Sequence, residues 1–333
     1  MATLTDVAKA AGVSTATVSN VLNGTKAVTP DVRQRVLDAT ARLGYRPNLQ
    51  ARSLRTGQSR TLGLVVPDLS NPYFPALVQA IETTARGAGF ALMVMDTGND
   101  MRHELEALAL MASYRVEGVI WVPVGDHHDL DWPYPIVTVD RPVPGCDAVV
   151  ADHREGGALV AKHAIALGHR RVGLLCGPHS LPSAALRREG FLEAGTGRFE
   201  IAWEHEVPFS SDLPNQLRAR LAEPDCSLVV CANDAVAVGV LRATREVGIK
   251  VPDDLSLIGF DDVPWADFVD PALTTVRQPL AALGESAVAM LSARINLPGR
   301  APHHEVLPVE LVVRRSAVPA PAGLASVSRR RPA

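Results

Sequence analysis

From Leu62 to about Val313, short apolar runs alternate with stretches whose apolar residues recur at helical spacing. The runs Leu62 to Val66, Ala91 to Met95, Gly118 to Val122, Ile136 to Val139, Val172 to Cys176, Leu228 to Cys231 and Leu255 to Gly259 predict strands. Ala76 to Ala88, Glu104 to Ser113, His153 to Leu167, Ala235 to Val247 and Leu280 to Ile295 predict helices between them. Asp152 with Glu155 three residues on reads as a capping box, and Gly248 closes the helix before it. Strand and helix in alternation build parallel sheets covered on both faces, and this many strands divide into two doubly wound subdomains. The first sixty residues read differently, as three short helices. Thr5 to Ala11 is followed by a turn at Gly12, and Ser14 or Thr15 starts a second helix that runs to about Asn23. Thr29 caps a third, with Pro30 at its first position and Asp31 at its positive end. Ala8, Val13, Val18 and Val21 point inward on this pattern. From Ser316 to Ala333 there is no apolar period, which predicts a tail without order.

Charge divides the chain at the same place. Residues 1–60 carry nine Lys or Arg against three Asp, a balance of +6; the whole chain is at −3, so the remainder stands at −9. A basic head on an acidic body marks the head as the part that meets a polyanion. No apolar run reaches the roughly 20 residues that cross a bilayer, and the N-terminus lacks a signal-peptide pattern, so a cytoplasmic protein with no membrane partner is expected. Cys146, Cys176, Cys226 and Cys231 are scattered with no C-x-x-C pair, and read as reduced, small apolar residues. No metal site and no cofactor are expected.

On the second helix, Thr15, Ala16, Thr17, Ser19 and Asn20 form a face of small and short polar side chains. A recognition helix needs this: the backbone enters the major groove, and hydroxyl and amide groups reach base edges and phosphates. The stretch Thr5-Asp6-Val7-Ala8-Lys9-Ala10-Ala11-Gly12-Val13-Ser14-Thr15-Ala16-Thr17-Val18-Ser19-Asn20-Val21-Leu22-Asn23 resembles the head of the lactose/galactose repressor family. Gly44-Tyr45-Arg46-Pro47-Asn48 and Ala51-Arg52-Ser53-Leu54 extend the resemblance, which covers the chain up to Arg315. It implies an all-α helix-turn-helix head at 1–47, a hinge helix and linker at 48–60, and a sensor at 61–315. The sensor would be a two-subdomain, type I periplasmic-binding-protein-like α/β unit. Its N-subdomain would hold about 61–140 and 279–306, its C-subdomain 141–278 and 307–315, with 316–333 as the tail. Thr15, Ala16 and Asn20 would read bases, and Thr5, Ser14, Thr17, Ser19, Asn23, Tyr45, Asn48, Ala51, Arg52 and Arg55 would complete the DNA contacts. Leu54 would wedge between central base pairs in the minor groove. The resemblance implies a homodimer on a pseudo-palindromic double-stranded operator. The Pro-rich tail lacks the apolar heptad helix of the family's tetramers.

A sugar site needs aromatic faces, carboxylates that accept hydroxyl protons, and Arg, Asn or Gln donors. Candidates stand at the C-terminal ends of strands, where open α/β sheets place ligands: Asn71, Tyr73, Phe74, Asp140, Arg141, Arg187, Phe209, Asn233, Asp261 and Gln278. Singly, each has an ordinary structural reading, as a surface ion pair for Asp140 and Arg141 or a helix cap for Asn233. Together they resemble the ribose-binding branch of the superfamily, through Asn71-Pro72-Tyr73-Phe74, Asp140-Arg141, Ser183-Ala184-Ala185 with Arg187 and Gly190-Phe191, Asn233-Asp234, Gly259-Phe260-Asp261 and Gln278. Tyr73 departs from that branch, where Phe is frequent. The resemblance implies a repressor released by D-ribose or a related pentose. A hexose, a sugar phosphate or a purine is the alternative, the purine disfavoured by two carboxylates and two guanidiniums.

An enzyme on the same scaffold is the rival class. The chain has no G-x-G-x-x-G after the first strand, no Walker A run, no G-x-S-x-G and no H-E-x-x-H. His127-His128 and His303-His304 lie in polar, proline-flanked segments that read as solvated loops. A transport solute-binding protein would carry a signal peptide and no basic head.

Overall fold

The computed structural model describes residues 2–23, 26–45, 59–125 and 132–321. They fall into two compact units, divided between Ser59 and Arg60.

The first unit is helical: α1 (Leu4–Ala11), α2 (Thr15–Asn23) and α3 (Pro30–Arg42). Val7, Ala8, Ala11, Val18, Val36 and Ala39 form its core, with Leu4, Val13, Val21, Leu22 and Tyr45 packed around it. Thr3 opens α1 with a reciprocal capping box to Asp6. Gly12, at φ +64°, ends α1 in the left-handed region that favours glycine. Thr29 holds the cap position of α3, but its side chain makes no capping hydrogen bond.

The second unit holds two parallel sheets. One has the order β11-β5-β4-β3-β1-β2, built from β1 (Thr61–Val66), β2 (Ala91–Asp96), β3 (Gly118–Trp121), β4 (Ile136–Val139), β5 (Asp147–Ala151) and β11 (His304–Leu307). Its faces are covered by α4 (Tyr73–Gly87) and α11 (Leu280–Asn296) on one side and α5 (Met101–Ser113) on the other. The second sheet has the order β7-β6-β8-β9, from β6 (Arg171–Cys176), β7 (Glu200–Glu206), β8 (Leu228–Cys231) and β9 (Ser256–Ile258). Around it lie α6 (His153–Ala166), α7 (Pro182–Gly195), α8 (Asn215–Ala222), α9 (Asp234–Val247) and the short α10 (Trp265–Phe268). An antiparallel pair, β10 (Thr275–Arg277) with β12 (Glu310–Val312), completes the unit. Central strands such as β1 are apolar on both faces because helices cover both.

Two expectations are corrected. The N-subdomain sheet does not stop at Asp140: β5 pairs with β4 in parallel register, so the first crossover follows Ala151. The chain crosses again between β10 and α11 and between β11 and β12. The segment from Ser316 is not without order along its first six residues. Leu257 N donates to the Ser316 carbonyl at 2.7 Å, Val318 N to Ser256 Oγ at 3.1 Å and Ala320 N to the Leu167 carbonyl at 2.8 Å. This segment covers the free edge of β9, and a strand edge is held through backbone hydrogen bonds that need no apolar period.

The helices α6 and α7 cross closely because glycines face the contact. A Cβ on Gly157 would lie 2.0 Å from the Arg187 carbonyl oxygen, and one on Gly190 would lie 1.9 Å from that of Arg154. This crossing fixes where Arg187, on α7, meets the first turn of α6.

Candidate functional site

On the head, Ser14 caps α2: its Oγ accepts from Thr17 N at 3.1 Å and lies 2.9 Å from Thr17 Oγ1. Thr5, Thr15 and Ala16 are exposed, and Thr17, Ser19 and Asn20 are half-buried. Tyr45 is half-buried on the helical core, so its ring braces the head as well as standing near its surface. Asn23 ends α2. Asn48, Ala51, Arg52, Leu54 and Arg55 lie outside the described residues.

In the sensor, Asn71, Tyr73, Phe74, Asp140, Arg141, Arg187, Asn233, Asp261 and Gln278 are all buried. The structure brings most of them into one chain of contacts between the sheets. Tyr73, in the first turn of α4, donates its hydroxyl to Gln278 Oε1 at 3.2 Å, and Gln278 Nε2 donates to Asp261 Oδ1 at 2.8 Å. Arg187 Nη2 stands 3.3 Å from the same Asp261 oxygen, while its Nη1 donates to the Ala232 carbonyl at 2.7 Å. Its Nε donates to His153 Nδ1 at 3.3 Å, and His153 Nε2 lies 3.1 Å from Asp140 Oδ1. With Nδ1 accepting, the imidazole proton sits on Nε2, the ring nitrogen on the Asp140 side. Arg141 Nε is 3.4 Å from Asp140 Oδ2, and its Nη1 donates to the Pro123 carbonyl.

Local backbone aims the two carboxylates. Asp140 follows β4 at φ +67° and Asp261 follows β9 at φ +116°, conformations that L-residues rarely adopt and that turn both side chains off their strand ends. The Arg187 guanidinium lies 3.8 Å from the Phe260 ring centroid and 5.8 Å from that of Phe209. Asn233 caps α9, its Oδ1 accepting from Val236 N at 2.9 Å, which leaves its amide as the group it can offer. Arg141 of this network also lines a cavity of about 300 Å³, at the small end for small-molecule sites, together with Asn71, Phe74, Phe209, Asp68, Asn99 and Ser180 among others.

Burial works against ionisation of Asp140, but the contact with His153 and the charges of Arg141 and Arg187 outweigh it and hold the carboxyl well below its usual range. At Asp261 burial prevails over Arg187 and Gln278, pushing the carboxyl up to about 6. Burial and Arg187 lower His153, keeping it neutral at pH 7. Burial and the two carboxylates raise Tyr73 far above its ordinary value, so its hydroxyl stays a donor. The site therefore holds two anions and two cations in balance.

Sequence reasoning missed His153 and Phe260 as partners of Arg187. His153 was visible only as the first residue of a helix, and Phe260 only as the middle of the Gly259-Phe260-Asp261 motif. Asp140 and Arg141 do pair with each other, but inside the cleft rather than on the surface.

The chain's relatives agree with this architecture. Residues 3–48 match the bacterial regulatory proteins of the lacI family, and residues 161–317 match the periplasmic binding protein-like domain. The HTH-type transcriptional repressor PurR of Mannheimia succiniciproducens is 37% identical over 330 residues, covering 95% of this chain and 98% of that protein. The lac repressor dimer bound to operator and the anti-inducer ONPF superposes with a TM-score of 0.82 at 30% identity, over 95% of this chain and 99% of that one. A LacI family transcriptional regulator from Enterococcus faecium with bound ribose superposes with a TM-score of 0.71 at 28% identity, over 78% of this chain and 100% of that one. These relatives are transcriptional regulators rather than enzymes. The chain belongs to the LacI family of DNA-binding transcriptional regulators, with a helix-turn-helix head and a periplasmic-binding-protein-like sensor.

Proposed function

We propose that this regulator is a cytoplasmic, homodimeric repressor that binds a pseudo-palindromic operator and leaves it on binding a small neutral sugar, D-ribose or a close pentose. One observation carries the ligand class: Asp140, Asp261, Arg141 and Arg187, balanced in charge, converge with Tyr73 and Gln278 in one buried network, and Arg141 of that network also lines a cavity of about 300 Å³. A polyol offers each hydroxyl as donor and acceptor at once, which suits alternating carboxylates and guanidiniums. A site with no surplus positive charge has little to offer a sugar phosphate. Ribose bound to the Enterococcus regulator supports the same class. Exposed apolar side chains on β2 and α5, among them Val94, Met101 and Leu105, are available for the dimer contact.

A purine base is the second reading, favoured by two aromatic rings, Phe74 and Phe209, lining the cavity and by the repressor PurR among the relatives. Calorimetric titration with D-ribose, arabinose, glucose, fructose and hypoxanthine separates the two. Heat with ribose alone supports the pentose; heat with hypoxanthine alone replaces it.

The raised Asp261 adds a pH test. Above about pH 6 its carboxylate accepts from the ligand; below it, protonation removes an acceptor and unbalances the four charges. Ribose affinity is expected to fall as pH drops, by about tenfold at one unit below that value. Asp261→Asn should bind weakly with a flatter pH profile. An Asp261→Asn profile as steep as that of the wild type would assign the titration elsewhere.

A further inference from the structure

Beside the effector cleft, on the second sheet, three metal-ligating side chains meet that no sequence spacing connects. Cys176 ends β6, Glu204 stands on the adjacent β7, and His179 lies in the loop that leads from β6 to α7. Cys176 Sγ lies 3.3 Å from Glu204 Oε1, and His179 Nε2 lies 3.8 Å from the same oxygen. One donor atom from each of the three falls within 4.8 Å of the others. We propose that Cys176, His179 and Glu204 form a binding site for a borderline divalent cation of the zinc class.

The chemistry of the donor set fits that class. A thiolate, an imidazole and a carboxylate are the ligands zinc takes, and a tetrahedral ion with bonds of roughly 2.0–2.3 Å needs its ligands about 3.3–3.8 Å apart. The observed separations need only a small contraction, which the half-exposed His179 on its loop can supply. Glu206 Oε2, 3.3 Å from His179 Nδ1, would hold the imidazole from its far edge while Nε2 faces the ion, which leaves the fourth position to water. Charge also closes. Without a cation, Arg188, which pairs with Glu204 through both Nε and Nη2, is the one Lys or Arg in ion-pair contact with Glu204 or Glu206 among the described residues. A divalent cation with Cys176 as thiolate balances the two glutamates and Arg188 to zero.

The position ties the site to the sensor. Pro178 and Ser180, which flank His179, line the effector cavity, and Gly177 lies so close to Phe209 that a Cβ there would come within 2.4 Å of its ring. Drawing His179 onto a metal therefore shifts a wall of the cavity.

The test is titration of the full chain with zinc, with metal content measured after dialysis, on the wild type, Cys176→Ser and His179→Ala. His179 is exposed enough for its variant to fold. The wild type should retain one equivalent that each variant binds about tenfold or more weakly. Cobalt substitution adds a second readout, since ligation by Cys176 gives a thiolate-to-cobalt absorption band that Cys176→Ser lacks. No retained zinc, equal retention by His179→Ala, or a cobalt spectrum without the thiolate band would each overturn the assignment, the last two pointing to His303, His304 or other histidines as the metal's hosts.

Discussion

Replacing Arg187 by alanine is expected to weaken sugar binding on the order of 100-fold while leaving the affinity of the head for DNA selected by the wild-type chain unchanged. Arg187 touches both ends of the buried network, with His153 and through it Asp140 on one side and Asp261 on the other. A hydrogen bond to a charged group contributes about 1.5–3 kcal/mol, and its removal also strands the other partner. The stranded partner is Asp261, buried and already raised to about 6; without the guanidinium it goes further toward its neutral form and ceases to be an acceptor at pH 7. Arg187→Lys should recover little, because an ammonium cannot reach His153, Asp261 and the Ala232 carbonyl at once as a planar fork does. Calorimetry with ribose and fluorescence anisotropy with DNA read the two effects separately. Unchanged ribose affinity in Arg187→Ala would make the residue a structural staple between helix and strands, and loss of DNA binding together with the response would place the damage in folding.

How far this was legible in the sequence varies from element to element. The central strands announced themselves because both faces are apolar, and the helices because one face is. Strand β7, Glu-Ile-Ala-Trp-Glu-His-Glu, did not, since it lies at a sheet edge with charged residues exposed and owes its conformation to pairing with β6. Strand β5 is five residues long after the turn at Gly145, and its membership in the first sheet is set by register with β4 rather than by any local signal. The segment from Ser316 is held by backbone groups and by His169, buried at the end of α6, neither of which leaves a hydrophobic period. At the site, each motif end pointed to a cleft residue, because a polar group directly after an apolar strand has few structural reasons to be there. The links between those residues were beyond reach: His153 joins Asp140 to Arg187 only once β4, α6 and α7 are brought together. The same holds for Cys176, His179 and Glu204, whose third member comes from a neighbouring strand.

The second large effect concerns the helix crossing beneath that network. Gly190→Ala is expected to destabilise the sensor by about 3 kcal/mol, a fall in Tm of roughly 6–12 °C for a unit of this size. The added Cβ would lie 1.9 Å from the carbonyl oxygen of Arg154, a backbone atom that cannot rotate aside as the end of a side chain can, so the two helices must part. Gly157→Ala meets the Arg187 carbonyl at 2.0 Å and should behave alike. Gly87, in the last turn of α4, is the control: no atom lies within 4 Å of its added Cβ, and alanine there should be neutral or stabilising by up to about 1 kcal/mol through helix propensity. Differential scanning calorimetry of the three variants checks the order. Separation of α6 from α7 also draws Arg187 away from His153 and Asp261, so ribose affinity should fall in Gly190→Ala even at temperatures where the sensor stays folded. A variant with lowered Tm and wild-type affinity would mean that the network closes on the ligand independently of the crossing, and that the glycines serve packing alone.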